Sequence, residues 1–261
     1  MRTIPNAPRF FQASRPKTSL LYTQGLGGIT FSKFTPSSGT LAVTDFFSPF
    51  NQQYLNLEKA NADMASSGPL LLPDQSGPLT HLALVCGKSG TIYLMNRDNL
   101  GKYHSDGDHV VQALYATIGM RSPVSPTGNW GTPAYFRGQI YIQGVGDPLK
   151  QFDASQSLLS AGPLAISNNV VGYTGTTPAV SSNGLLNGII WTSEVSGSAS
   201  KRPLVLHAYD AANVAYELYN SAMSGTTDTA GPAVKFGVPT VANGKVYVGT
   251  QSELDVYGLL P

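Results

Sequence analysis

The clearest pattern in the chain is a pair of short apolar runs near its C-terminal end. Residues 236–260, FGVPTVANGKVYVGTQSELDVYGLL, hold Lys245–Val248 and Leu254–Tyr257 on either side of a small polar turn. Asn243-Gly244, a strong tight-turn signal, precedes the first run. Short runs of this kind, separated by such turns, predict antiparallel strands.

Looser copies of this unit recur upstream, roughly every 50–60 residues. The residue that closes the second hairpin strand is aromatic or apolar each time: Phe34, Met95, Phe152, Tyr209 and Tyr257. Four short strands per repeat predict an all-β fold, a β-propeller of four-stranded antiparallel blades with about four to five blades in this chain. A β-sandwich of unrelated strands explains the composition equally well but not the repeated strand order.

The pattern divides the chain into two parts. Residues 1–19 are rich in Pro, Arg, Ser and Asn and predict an irregular N-terminal arm, whereas residues 20–261 predict propeller blades in a single domain. A hairpin is expected over residues 29–47, around the turn Pro36–Gly39. Residues 51–66 predict one short helix or a long connecting loop.

The composition favours strands and argues against nucleic-acid binding and an intrachain disulfide. Charged residues are 12% of the chain, and it contains 28 glycines, 18 prolines and 13 tyrosines, which favours short strands with frequent turns over a helical bundle. The net charge is +1 without a basic block, which argues against nucleic-acid binding. The single cysteine, Cys86, excludes an intrachain disulfide, and its apolar neighbours predict a buried structural thiol.

Neither a membrane span nor an export signal is predicted. No stretch approaches the ~20 apolar residues that cross a bilayer. The N-terminus has positive charge but no continuous apolar segment, so it is not a signal peptide as written. The protein is therefore expected to be cytosolic, or part of a longer precursor with an export signal upstream.

One repeat resembles a known family. Residues Leu84–Asn96, LVCGKSGTIYLMN, are similar to the repeat V-Y-V-G-x-x-x-G-x-L-Y-x-x-D-A-x-T-G of PQQ-like (quinoprotein-type) β-propellers. Ala208–Asn213 keeps the later Asp-Ala portion, and Phe152–Ala154 keeps less of it. The resemblance covers roughly residues 20–260 and implies a periplasmic or secreted protein of bacterial type.

The resemblance also carries an expectation about completeness. Such relatives usually close with seven or eight blades, so this chain is expected to be the C-terminal part of a larger propeller. Closure by self-association through the open blade edges is the alternative, because an unpaired strand edge and an uncovered blade face favour association.

The chain departs from the enzymes of that family. Quinoprotein dehydrogenases hold PQQ with a tryptophan stack, a vicinal disulfide and a calcium ion, whereas this chain has one cysteine and two tryptophans. We therefore expect a non-catalytic binding or scaffolding module without a cofactor. The alternative is a fragment of a PQQ-dependent dehydrogenase that oxidises alcohols or sugars with PQQ and calcium. No catalytic or cofactor-binding residue is predicted.

The densest polar stretch is HSDGDH at residues 104–109. His104, Asp106, Asp108 and His109 together offer two imidazoles and two carboxylates, the ligand types that bind divalent metals. The spacing matches no EF-hand or HExxH pattern, and Asp-Gly also marks an exposed turn. A metal site and a solvated turn both remain open.

Propellers bind a protein or a small molecule at the mouth of the central channel, through loops that differ between blades. The candidate ligand-loop residues here are Trp130, Arg137, Lys201 and Arg202. Trp130 could stack on a ligand ring or pack between blades. His81 and His207 lie in strand runs and are expected to be structural.

Overall fold

A computed structural model describes residues 10–14, 30–37, 40–55, 62, 64–119, 128–195 and 202–258. Strands dominate these residues, with a short helix α1 (Gln52–Leu55) and a 3-10 helix (Met64–Ser66) between the third and fourth strands. The strands are β1 (Phe10–Ser14), β2 (Thr30–Ser37), β3 (Thr40–Phe47), β4 (Leu70–Leu71), β5 (Leu82–Cys86), β6 (Ile92–Asn96), β7 (Gln112–Leu114), β8 (Ala134–Phe136), β9 (Gln139–Ile142), β10 (Asp147–Asp153), β11 (Ala165–Val171), β12 (Ala179–Asn183), β13 (Leu186–Glu194), β14 (Val205–Asp210), β15 (Glu217–Asn220), β16 (Thr240–Ala242), β17 (Lys245–Gly249) and β18 (Leu254–Tyr257).

The strands form five antiparallel sheets in which neighbours in sequence are neighbours in space. The sheets are β1–β3, β4–β7, β8–β11, β12–β15 and β16–β18, here called blades 1 to 5. The three middle blades have four strands each, as the repeat predicts, and the first and last have three described strands.

Strand β5 shows what holds the blades together. All five of its residues are buried, although successive side chains point to opposite faces of the sheet. Leu82 and Leu84 share a hydrophobic cluster with Ile142 of blade 3. Val85, on the other face, shares a second cluster with Phe31 of blade 1. Blade 2 is therefore covered on both faces by its neighbours in sequence.

The same arrangement repeats along the chain. Tyr141 of blade 3 packs with Tyr209 of blade 4 in a third cluster. Leu206 of blade 4 packs with Val248 of blade 5 in a fourth. Five consecutive up-and-down sheets stacked face to face, with one apolar layer between each pair, are the packing of a β-propeller, so the predicted fold class is confirmed.

Two segments differ from the sequence-based expectation, and a third is described only in part. Strand β1 lies inside the predicted irregular arm and pairs with β2, so the described strands begin at Phe10 rather than near Leu20. In the stretch 51–66 the described residues hold two short helical pieces, α1 and Met64–Ser66, and residues 56–61 and 63 lie outside the described residues. Strand β11 was not predicted, because Ser167-Asn168-Asn169 interrupts its apolar pattern with residues that disfavour strands.

The outer faces of the first and last blades expose apolar side chains. Leu41 of blade 1 is 61% exposed and Leu254 of blade 5 is 62% exposed. Self-association through the open blades stays a prediction. Within the described part of the chain, no helix is long and apolar enough to cross a membrane.

Candidate functional site

At one end of the stacked blades, the connections between successive blades lie beside turns within the blades. In a four-stranded up-and-down blade, the turn between the second and third strands lies at the same end as the connection to the next blade. We call this end the loop face. Among the described residues it carries 87–91, 128–133, 143–146, 172–178, 202–204, 231–239 and 250–253.

Backbone hydrogen bonds tie these connections to each other. The amide of Asn129 donates to the carbonyl of Gly87 at 3.0 Å, and Val145 donates to Gly128 at 2.9 Å. Gly128 has a φ of +81°, and a Cβ there would overlap the carbonyl of Lys88. Gly131 is equally tight, because a Cβ would overlap the carbonyl of Thr176. Trp130 is thus held between two glycines that allow the loops to touch.

Trp130 belongs to a continuous group of two cations and two aromatic rings. Its ring meets the edge of Tyr173, with centroids 5.2 Å apart and an angle of 82° between the planes. The Nζ of Lys88 lies 4.7 Å from the Trp130 ring centroid, and the Nζ of Lys235 lies 5.0 Å from that of Tyr173. Both distances are within the ~6 Å range of a cation–π interaction. We call these four residues the Lys–aromatic cluster.

The surroundings of the cluster combine positive charge with exposed apolar surface. Phe236 is 57% exposed and Tyr173 is 38% exposed. Arg202 is exposed. Its carbonyl accepts a hydrogen bond from the amide of Ala233 at 3.0 Å, which holds Arg202 beside the segment that carries Lys235. The cavity that Phe236 lines has a volume of about 10 Å³, room for about one water molecule. A ligand larger than water would therefore not be enclosed in this cavity.

The four predicted ligand-loop residues do not lie together. Trp130 and Arg202 belong to connections of the loop face, whereas Arg137 lies at the other end of β8 and donates from Nη1 to the carbonyl of Leu185 at 2.7 Å. Lys201 lies outside the described residues. Sequence reasoning missed Tyr173 and Lys235, because no local motif distinguishes them and only the fold brings them to Trp130.

The predicted metal cluster assembles in part, in the connection between β6 and β7. The rings of His104 and His109 stack with centroids 3.7 Å apart and planes within 5°. Asp106 Oδ1 lies 3.3 Å from His109 Nε2. Asp108 is engaged elsewhere, because its carboxylate accepts hydrogen bonds from the Phe50 amide at 2.7 Å and from the Tyr115 hydroxyl at 3.0 Å. We call His104, Asp106 and His109 the His–Asp cluster.

A second group of titratable residues was not predicted as a constellation. His207 lies in β14, with its side chain 5% exposed, between Glu194 of β13 and Glu217 of β15. Its Nε2 is 3.2 Å from Glu194 Oε2, and its Nδ1 is 2.5 Å from Glu217 Oε1. Burial lowers the pKa of His207, but the hydrogen bonds and charges of the two carboxylates outweigh burial and raise it above the usual value.

The residues do not fit a quinone site of the dehydrogenase kind. Cys86 is fully buried in β5, where burial raises the pKa of its thiol, and the chain has no second cysteine for a vicinal disulfide. Trp130 packs against the edge of Tyr173 and below Lys88.

A larger cavity lies between blades 4 and 5. Its volume is about 710 Å³, and Trp191, Val246 and Tyr257 contribute apolar walls. Trp191 donates from Nε1 to Ser181 Oγ at 2.8 Å, and Tyr219 donates to Asp228 Oδ2 at 2.7 Å. These polar groups are therefore already paired within the protein.

No family model and no curated protein matches the chain. Solved structures with a similar course of the chain include BamB from Moraxella catarrhalis, at 12% identity and a TM-score of 0.47 over 88% of this chain and 58% of that one. The computationally designed proteins Ika8 and Ika4 are each 9% identical, with TM-scores of 0.44 and 0.42. Ika8 matches over 88% of this chain and 55% of its own, and Ika4 over 73% and 91%. The chain thus spans little more than half the length of the first two structures. The PQQ-like character of the repeat stays a prediction.

Proposed function

We propose that this protein is a non-catalytic binding module whose loop face takes an acidic, partly apolar segment of a partner protein. The observation that carries the proposal is the Lys–aromatic cluster. Its members come from separate connections: Lys88 from the β5–β6 turn, and Trp130, Tyr173 and Lys235 from the connections that precede blades 3, 4 and 5. The resemblance of the repeat supports an exported, periplasmic or secreted setting for this module.

The two ammonium groups of the Lys–aromatic cluster favour an anionic partner. The cluster brings the ammonium groups of Lys88 and Lys235 to the two ends of one aromatic pair, with exposed Arg202 nearby in the same group of loops. Clustered positive charge accelerates encounter with an acidic segment and selects against a basic one.

The shape of the face favours an extended segment over an enclosed small molecule. Small ligands are usually buried in cavities of several hundred Å³, whereas the cavity beside Phe236 holds about one water molecule. Exposed Tyr173, Phe236 and Val238 offer apolar contact area on the surface instead. Aromatic residues of this kind commonly anchor protein–protein interfaces.

The group formed by His207, Glu194 and Glu217 is arranged for a structural role rather than for catalysis. Both ring nitrogens of His207 are engaged by carboxylates, and the imidazole is buried. An imidazole held on both sides offers no free nitrogen to a substrate, since a general base must reach the proton that it removes.

The test is binding of capped peptides of defined composition to the purified full chain, measured by fluorescence anisotropy. A peptide of alternating Glu and Leu residues represents the proposed partner, and the same peptide with Lys in place of Glu reverses its charge. We expect the acidic peptide alone to bind, with an affinity that falls as salt rises because exposed charges are screened. The double substitution Lys88→Gln and Lys235→Gln should weaken binding at least tenfold.

Lys245→Gln is the matched control, because Lys245 is an exposed lysine after the β16–β17 turn, at the opposite end of blade 5. It should bind the acidic peptide like the unmodified protein. Equal affinity for the acidic and basic peptides, or equal loss in the control and the double variant, would exclude the loop face as the binding surface.

A further inference from the structure

We propose that the His–Asp cluster is a Zn²⁺-binding site, independent of the loop face, in which His104, His109 and Asp106 supply three protein ligands. Each of the three offers one ligand atom, and these atoms all lie within 4.8 Å of one another. Ligand atoms of a tetrahedral zinc site with bonds of 2.0–2.1 Å are about 3.4 Å apart. The rings of His104 and His109 are stacked and parallel, so their lone pairs lie in separate planes, and one imidazole turns out of the stack when both bind one ion.

The donor set suits zinc and its neighbours. Two imidazole nitrogens and one carboxylate oxygen form a borderline set that prefers Zn²⁺ over Mg²⁺ or Ca²⁺, which favour oxygen ligands only. With three protein ligands, the fourth position of a tetrahedral ion would be open to water. The His109 side chain is about half exposed and Asp106 is more so, which allows an ion to enter from solvent.

The connection that carries the cluster is fixed at several points. Asp45 of blade 1 accepts a hydrogen bond from the Leu100 amide at 2.8 Å and pairs with the ammonium group of Lys102. Gly101 has a φ of +99°, and a Cβ there would overlap the carbonyl of His109. The stacked rings of His104 and His109 are thus presented by a loop that is anchored to blade 1.

The proposed site has three ligands, whereas the sequence motif offers four, and Asp108 is the residue that the structure removes from the set. The motif offers four candidate ligands, but the Asp108 carboxylate holds the Phe50 amide and the Tyr115 hydroxyl. Its role is to fix the loop, and the metal is assigned to the other three residues. Asp108→Asn keeps an acceptor oxygen at Oδ1 and should leave metal binding intact.

The experiment is isothermal titration of the purified, metal-free full chain with ZnCl₂, in a buffer that does not chelate zinc. We expect one ion per chain in the unmodified protein, and loss of this binding in His104→Ala and in His109→Ala. His81→Ala is the matched control, because His81 also lies beside a carboxylate, Asp98 Oδ2, at 2.7 Å but without a second imidazole. It should bind one ion as before.

A second measurement does not depend on the variants folding well. In the unmodified protein, Zn²⁺ should shift the imidazole NMR signals of His104 and His109 and leave those of His81 and His207 unchanged. Absence of one-to-one binding in the unmodified protein would overturn the proposal. Zinc binding that survives in the His104→Ala, His109→Ala double variant, or signals that shift only at His81, would do the same.

Discussion

His207 and Glu217 form a short, partly buried hydrogen bond, with Nδ1 of the imidazole 2.5 Å from Oε1 of the carboxylate. The second ring nitrogen faces Glu194, so the imidazole bridges three successive strands of blade 4. His207 and Tyr209 lie on one face of β14, next to each other with centroids 6.0 Å apart. That face packs against blade 3.

Stability should depend on pH through His207. Its pKa is raised in the folded protein, so the contribution is fully present below the unfolded value of about 6.5 and is lost as pH rises through the folded value. We expect His207→Gln to lower the free energy of unfolding by about 1–3 kcal/mol near pH 6. The difference from the unmodified protein should shrink above the folded pKa, as measured by urea unfolding from pH 6 to 9. A difference that does not vary with pH would contradict a charged His207.

The hydroxyl of Tyr141 connects blades 3 and 4. It donates to the carbonyl of Ala211 at 2.6 Å in a buried position. Tyr141→Phe removes only this oxygen, and the Ala211 carbonyl keeps the hydrogen bond from Gln151 Nε2 at 3.3 Å, so we expect a loss of about 1 kcal/mol in the free energy of unfolding. Tyr216→Phe, at an exposed tyrosine, should cost nothing measurable. Equal effects of the two substitutions would mean that the bond between the blades does not contribute.

Strand β5 tests the packing of blades on both faces. Leu84 faces blade 3 and Val85 faces blade 1, and both are fully buried. We expect Leu84→Ala to cost about 2–5 kcal/mol, and Val85→Ala to cost somewhat less because it removes fewer atoms. Leu254→Ala, on the exposed face of blade 5, should cost far less. If either β5 substitution were neutral in urea unfolding, that face of blade 2 would not be covered.

A side chain at Gly128 should destabilise the protein for two reasons, the backbone conformation and a steric overlap, and a control substitution distinguishes them. Gly128→Ala forces a side chain into a left-handed conformation and into the carbonyl of Lys88. Gly184→Ala meets the first problem only, because its φ is +59° and no atom lies within 4 Å of the new Cβ. We expect about 1–2 kcal/mol for Gly184→Ala and a larger loss for Gly128→Ala. The fluorescence of Trp130, measured in a Trp191→Phe background, should change only with Gly128→Ala.

The sequence predicts the strands of the blades better than it predicts which side chains come together on the surface. Turn signals and alternating apolar runs locate most strands, because they are local and repeat in each blade. Strand β11 escapes detection, since its central Asn168 and Asn169 disfavour a strand that tertiary pairing nevertheless stabilises. Whether Asp108 joins His104 and His109 cannot be predicted from spacing, because Phe50, far away in the chain, decides where its carboxylate points.

The Lys–aromatic cluster is also beyond sequence reasoning. Lys88 and Lys235 are separated by most of three blades in the chain, and the contact of Trp130 with Tyr173 depends on how two connections cross. Glu194 and Glu217 look unrelated in the sequence for the same reason. Their relation to His207 follows from strand register, which the apolar pattern alone does not specify.

The central claim is that the loop face binds an acidic, partly apolar protein segment. Single-tryptophan variants test it most directly, because Trp130 lies on that face and Trp191 lines the cavity between blades 4 and 5. Titration with the alternating Glu–Leu peptide should change the fluorescence of the Trp191→Phe protein, which reports on Trp130, and leave that of the Trp130→Phe protein unchanged. A response confined to the Trp130→Phe protein would place the peptide at the other tryptophan and contradict the claim.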